Sequence, residues 1–277
     1  MKVFQGVLKF IILISFLCSE SRSWNSHSAN ILEKGRWEMG LFQPFRYGYS
    51  EKIEYSTHPL VFFVIPNVSI KKAESDMWGF NSASQFSLTY PTPMLNMLSR
   101  KGIGGLIDPN LDIPPMLGLS FAWLMSKSVS GIDLTITNGV DFGLVYGSMD
   151  KRVSIDLPLI YHRLGVFSNG WGFHTGLDIQ KPLYKNFSIL VDFDLLLLPR
   201  IAETKSNPDF KYLRGYYSLE HKLLVSWNKS ENFRFTTGYK IINAEFPFGN
   251  QTRLLPYLPL IEKWVPIIEL QWAGFKK

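Results

Sequence analysis

The chain is nearly without cysteine: among 277 residues only Cys18 carries a thiol. A single thiol excludes an intramolecular disulfide. Its position inside the leader described below also removes cysteine catalysis and cysteine metal ligation from the mature chain. Charge is scarce as well. Asp, Glu, Lys and Arg make up 19% of the residues, against roughly 25% in soluble domains. The net charge of +6 is scattered over pairs such as Lys71-Lys72, Arg100-Lys101 and Lys276-Lys277. No dense basic face results, which argues against a nucleic-acid partner. Beyond the leader, apolar runs such as Leu195–Leu198 fall far short of the ~20 residues of a membrane-spanning helix. A phosphate-binding glycine loop, an HExxH zinc motif and an Asp-rich calcium loop are all missing, and no cofactor or metal is expected.

What is plentiful is aromatic: 21 Phe, 12 Tyr and 8 Trp, 15% of the chain. A soluble domain accommodates so many only by burying nearly all of them. A membrane barrel instead turns them to lipid and into interfacial girdles.

Residues 1–23 read as a secretory signal peptide. Lys2 and Lys9 supply a positive start, Phe10–Leu17 an apolar segment, and Ser21 and Ser23 the small residues of a cleavage site after Ser23. The rival, lipid attachment at Cys18, fits less well because the bulky Leu17 precedes it. An exported, secreted chain without a spanning helix is either soluble or a β-type membrane protein.

The mature sequence alternates with period two, the mark of a strand with two unlike faces. From Trp37 to Tyr49 one parity carries Trp37, Met39, Leu41, Phe45, Tyr47 and Tyr49; the other carries Arg36, Glu38, Gly40, Arg46 and Gly48. Ile53, Tyr55 and Thr57 oppose Lys52, Glu54 and Ser56. The same contrast runs through 117–126, 132–137, 152–157, 171–180, 187–198, 217–227, 233–241 and 268–273. Several segments have the length of a tilted bilayer-crossing strand, roughly 9–11 residues. Turn-rich breaks such as Asn169-Gly170 and Asn228–Asn232 separate them. The expected fold is all-β: a closed antiparallel transmembrane up-and-down β-barrel of about 12 strands, within a range of roughly 10–14. It occupies 36–277. The Pro- and Gly-rich stretch 91–115 lacks alternation and forms a long loop, over the surface or into the lumen as a plug.

The pattern resembles bacterial outer-membrane β-barrel proteins as a broad class, over nearly all of the mature chain. The last strand is the most specific part: Ile268, Leu270 and Trp272 alternate and Phe275 stands near the end, followed by Lys276-Lys277. In that class the assembly machinery reads such a final strand. The resemblance implies a Gram-negative outer-membrane location, a periplasmic segment at 24–35, and outer-membrane lipid and the barrel assembly machinery as partners. An aromatic girdle would comprise Trp37, Tyr47, Tyr55, Trp123, Trp171, Trp227, Tyr239 and Trp272. The lumen would be lined by Arg36, Glu38, Arg46, Lys52, Glu54, Asp133, Arg152, Asp156, His174, Asp178, Asp192, Asp194, Glu220, Lys222, Arg234, Lys240 and Glu269.

Two groups invite a catalytic reading. His174 and Asp178 share a parity and suit acid/base work, yet four residues along a strand separate them by roughly 13 Å. Asp192 and Asp194 share the inward face and suit a cation, but a wet lumen needs such groups anyway. No catalytic residue is assigned. The expected function is a non-enzymatic, porin-like barrel: a narrow channel for small solutes or a structural barrel. One alternative is a barrel hydrolase acting on lipid or peptide at the membrane surface, with His162, His174 or His221 in hydrogen-bond reach of a serine or an acidic residue near one rim; Ser168 or Ser188 would come near His174 by cross-strand pairing. Another is a soluble or surface-attached periplasmic β-protein.

Overall fold

A computed structural model describes residues 24, 26–99, 107–148, 164–198, 217–244, 251–258 and 263–276. The leader, Arg152, Asp156, His162 and the expected strand at 152–157 lie outside the described residues. The strands are β1 (Arg36–Gly40), β2 (Phe45–Ser50), β3 (Ile53–Thr57), β4 (Asn67–Ala73), β5 (Asn81–Thr89), β6 (Met116–Val129), β7 (Ile132–Val145), β8 (Trp171–Pro182), β9 (Phe187–Leu197), β10 (Tyr217–Ser230), β11 (Phe233–Ala244), β12 (Gln251–Leu255), β13 (Tyr257–Leu258), β14 (Lys263–Trp264) and β15 (Ile267–Phe275). Two helices, α1 (Thr92–Ser99) and α2 (Leu164–Asn169), interrupt them.

Each strand from β1 to β11 pairs antiparallel with its neighbours in the chain. β11 also pairs with β15, and β15 pairs with β1, so the sheet closes on itself as a 12-strand barrel. The closing strand is discontinuous. β15 lies beside Phe233–Gly238 of β11, and β12 continues along the same edge beside Lys240–Ala244. Residues 256–266 leave the wall between the two halves, and β13 and β14 pair there with each other.

The two ends of the barrel differ. At one end, the turn end, lie the short connections 51–52, 74–80, 130–131, 183–186 and 231–232, together with Gly35 and Lys276, which are joined by a backbone hydrogen bond of 2.8 Å. The strand ends at the other, the loop end, are joined in sequence by 41–44 and by the longer connections 58–66, 90–115, 146–170 and 198–216.

Alternation places opposite chemistries on opposite sides of the wall. Phe121, Phe193, Trp227 and Ile268 point outward and are exposed, whereas Glu38, Arg46, Thr135, Asp192 and Gln271 point inward and are buried. The alternating run from Trp37 to Tyr49 proves to be two strands. The connection 41–44 is four residues long, and the pairing of Trp37 with Tyr47 keeps the same parity outward on both sides of it. β4 and β5 add two strands whose outward residues, Val68, Ile70, Phe86 and Leu88, alternate with small or charged ones.

Candidate functional site

Among the described residues the interior carries polar side chains in three layers. The first sits on β1 to β4. Arg46 is bidentate to Glu54, Nε to Oε1 at 2.7 Å and Nη2 to Oε2 at 2.9 Å, and reaches Glu38 at 3.0 Å with Nη1. Arg36 Nε donates to Glu38 at 3.2 Å, and Lys71 Nζ lies 3.5 Å from Glu54. These side chains are at most 6% exposed. The strand register brings them together: Glu38 stands opposite Arg46, and Glu54 opposite Lys71. Unpaired charges would not survive such burial; paired and hydrogen-bonded ones do.

The second layer is residues 24–35, which run around the inner wall near the turn end. Trp24 lies under the guanidiniums of Arg234 and Arg36, at 4.7 and 5.8 Å from the ring. The Ala29 amide donates to Ser126 Oγ at 2.7 Å, and the Leu32 amide to Glu54 Oε2 at 3.0 Å. Lys71 Nζ donates to the carbonyls of Ser28 and Asn30 at 3.1 and 2.9 Å. Ala29 packs against Ala83, Ala122 and Leu124 of the wall. Gly48 makes this passage possible: a Cβ there would stand 2.2 and 2.6 Å from the carbonyl oxygens of Glu33 and Leu32.

The third layer spans β8 to β11. Asp178, Asp192, Lys222 and Lys240 occupy successive register positions around the wall. Lys222 pairs with Asp192, and Lys240 with Glu220. His27 of the luminal segment places Nδ1 3.7 Å from Asp178 Oδ1. Burial, then the nearby Lys222 ammonium, lowers the His27 pKa to about 3, so its imidazole is neutral near pH 7. A cavity of about 310 Å³ opens beside it toward the turn end.

Nearer the loop end, Asp141 of β7 accepts hydrogen bonds from Ser120 Oγ at 2.5 Å and pairs with His174 Nδ1 at 3.0 Å. Asp141 thus stands between serine and imidazole. At the loop end itself an apolar cluster of Leu95, Ile107, Leu111, Met116 and Phe167 joins α1, α2 and the stretch before β6. α2 lies against the inner wall of β7, where a Cβ on Gly143 would meet the Phe167 backbone at 2.6 Å. Part of the 91–115 loop therefore packs over the lumen mouth.

Among the expected lumen residues, the structure joins Arg36, Glu38, Arg46 and Glu54 in one network and Asp178, Asp192, Asp194 and Lys222 in another. It separates His174 from Asp178, since each has a different partner. Arg234 meets Gln271, Glu269 accepts from the Phe42 amide at 2.8 Å, and Asp133 lines the cavity. Lys52 stands exposed in the connection 51–52, its carbonyl accepting from the Ala73 amide at 2.8 Å. Ser188 lies near the turn end, paired with Ser226, away from His174. His221 points outward, stacked on Phe193 at 4.6 Å and within 3.3 Å of the Tyr239 hydroxyl.

Of the expected girdle, Trp37, Trp227 and Trp272 lie toward the turn end and Trp171 at the loop end, while Trp123 and Tyr239 sit between. Tyr47 and Tyr55 face each other across β2 and β3.

Sequence reasoning missed His27, Trp24, Lys71, Ser120 and Asp141. Asp141 was within reach: it continues the inward parity of Asp133, Thr135 and Thr137. His27 and Trp24 carried no periodic signal, because residues 24–35 form no strand. A comparison with known protein families and with curated proteins finds no match for this chain.

Proposed function

We propose that this is an integral outer-membrane β-barrel protein of a Gram-negative bacterium, without enzymatic activity, that passes small solutes through a narrow lumen gated by its own residues 24–35. The division between the two faces of the wall carries the reading: apolar and aromatic outward, cross-linked charge inward. Closure through β11–β15 and β15–β1 removes the long free edges that lipid penalises, while β12 pairs with β11 alone. Among the described residues no helix is long and apolar enough to cross a membrane. Short turns at one end and long connections at the other match periplasmic and extracellular sides in this class. On this reading residues 24–35 face the periplasm. About 12 strands lie between filled barrels of about 8 and open porins of about 16.

Planar-bilayer recording tests the conduit. Folded protein is expected to show small conductance, and removal of residues 24–35 to raise it. Silence from both folded forms overturns the conduit. Quenching of tryptophan fluorescence by lipids brominated in the acyl chains tests the membrane reading; no quenching overturns it.

Asp141, Ser120 and His174 favour a second reading, a barrel hydrolase. It requires Ser120 to give its proton to His174, as a nucleophile needs an adjacent base; the hydroxyl donates to Asp141 instead. Labelling of Ser120 by a fluorophosphonate would put this reading first.

A further inference from the structure

Asp178 of β8 and Asp192 of β9 face each other directly across the strands on the inner wall. Like charges so placed repel. Asp194 adds a third carboxylate on the same face, and a single ammonium, Lys222, answers them through Asp192 Oδ2. Asp178 Oδ1 is buried and accepts no hydrogen bond. His27 Nδ1 stands 3.7 Å from that oxygen, beyond hydrogen-bond length. It is the spacing of two atoms bound to one ion, since ligands about 2.1 Å from a zinc lie up to ~4 Å apart. One ligand atom from each of His27, Asp178 and Asp192 falls within 4.8 Å of the others. The adjoining cavity of about 310 Å³, lined by His27, Ser126, Asp133 and Asp178, admits a hydrated ion.

We propose that His27, Asp178 and Asp192 bind one divalent transition-metal ion, which pins residues 24–35 to the wall at β8 and β9. One imidazole and two carboxylates suit Zn²⁺ or Mn²⁺. Ca²⁺ takes about 6–8 oxygens and fits this set poorly. Lys222 stays on the other oxygen of Asp192, and water completes the shell. The site rests on luminal geometry alone and holds whether or not solutes cross the barrel.

The test is calorimetric titration of chelator-treated protein in detergent with Zn²⁺, Mn²⁺ and Ca²⁺. One Zn²⁺ or Mn²⁺ per chain is expected, with Ca²⁺ weaker. His27→Ala and Asp178→Asn are each expected to weaken binding about ten-fold or more. Heat-dependent gel migration verifies that each variant has folded. If Asp178→Asn does not fold, His27→Ala carries the comparison, together with nitrogen coupling in the pulsed electron-spin spectrum of bound Mn²⁺. Absence of saturable one-to-one binding to the folded protein, unchanged affinity in His27→Ala, or a spectrum without nitrogen coupling each overturns the proposal.

Discussion

Arg46 grips Glu54 through two parallel hydrogen bonds of 2.7 and 2.9 Å, and the same carboxylate receives the Leu32 amide at 3.0 Å. One ion pair therefore ties β2 to β3 and also holds the luminal segment.

Breaking it from one side strands a buried carboxylate. Arg46→Met is expected to cost about 3–5 kcal/mol in denaturant unfolding from detergent. Replacing both partners, with Glu54→Met added, is expected to recover part of that loss, because Glu38 keeps Arg36 and Lys71 keeps the carbonyls of Ser28 and Asn30. A double variant less stable than Arg46→Met would contradict this account.

Ala29, Ala83 and Ala122 share one buried cluster. Since Cys18 is the sole native thiol, engineered pairs are read without background. Ala29→Cys with Ala83→Cys is expected to cross-link under mild oxidation, and mass spectrometry of a peptide digest would identify the joined fragments. Under the conduit reading, the cross-linked protein keeps the small conductance of the native one.

Gly143 gives α2 its place on the wall. Gly143→Val inserts atoms where the Phe167 backbone already lies. Overpacking of this kind costs about 1–3 kcal/mol. Faster cleavage near residues 164–169 by limited proteolysis, with the barrel itself still protected, is the expected result.

Glu74, between β4 and β5, accepts from Ser84 Oγ at 2.7 Å and lies 3.3 Å from Lys72. The Ser84 hydroxyl, then Lys72, holds its carboxyl below the ordinary 4.5. A depressed carboxylate stabilises above its unfolded value and loses that contribution as pH falls through the folded one. Protection from hydrogen exchange at 74–80, normalised at each pH to the intrinsic rate of unstructured peptide, is expected to fall as the pH drops below about 4.5, and to lose that dependence in Glu74→Gln.

The long strands were legible in the sequence because each buries one face and wets the other. Leu117, Leu119, Phe121 and Trp123 announce β6 without help from the rest of the chain. β4 and β5 were harder: Asn81-Ser82-Ala83-Ser84 begins β5 with small residues, two of which are covered by the adjoining 74–76 stretch through Ser82 to Ser75 and Ser84 to Glu74. Parity separated inner from outer residues but not partner from partner. Whether Asp178 stands opposite Asp192 or Asp194 depends on strand register, and register is set by turns and bulges that alternation does not encode. The luminal path of residues 24–35 was the least legible. Its contacts with Ser126 and Lys71 span 97 and 43 residues respectively, and a polar, aperiodic segment looks the same in sequence whether it lies in solvent or against a wall.

The seam of the barrel sets an order in time. Residues 24–35 lead directly into β1, and β1 is closed by β15, with Arg36 opposite Phe275. The first described residues to be synthesised are thus enclosed by the last strand. A ring that seals before this segment is seated leaves it only the route through the turn end. Seating it first makes the segment a mandrel about which the wall is wound, and places its contacts with Glu54, Lys71 and Ser126 before the last strand is joined to the first.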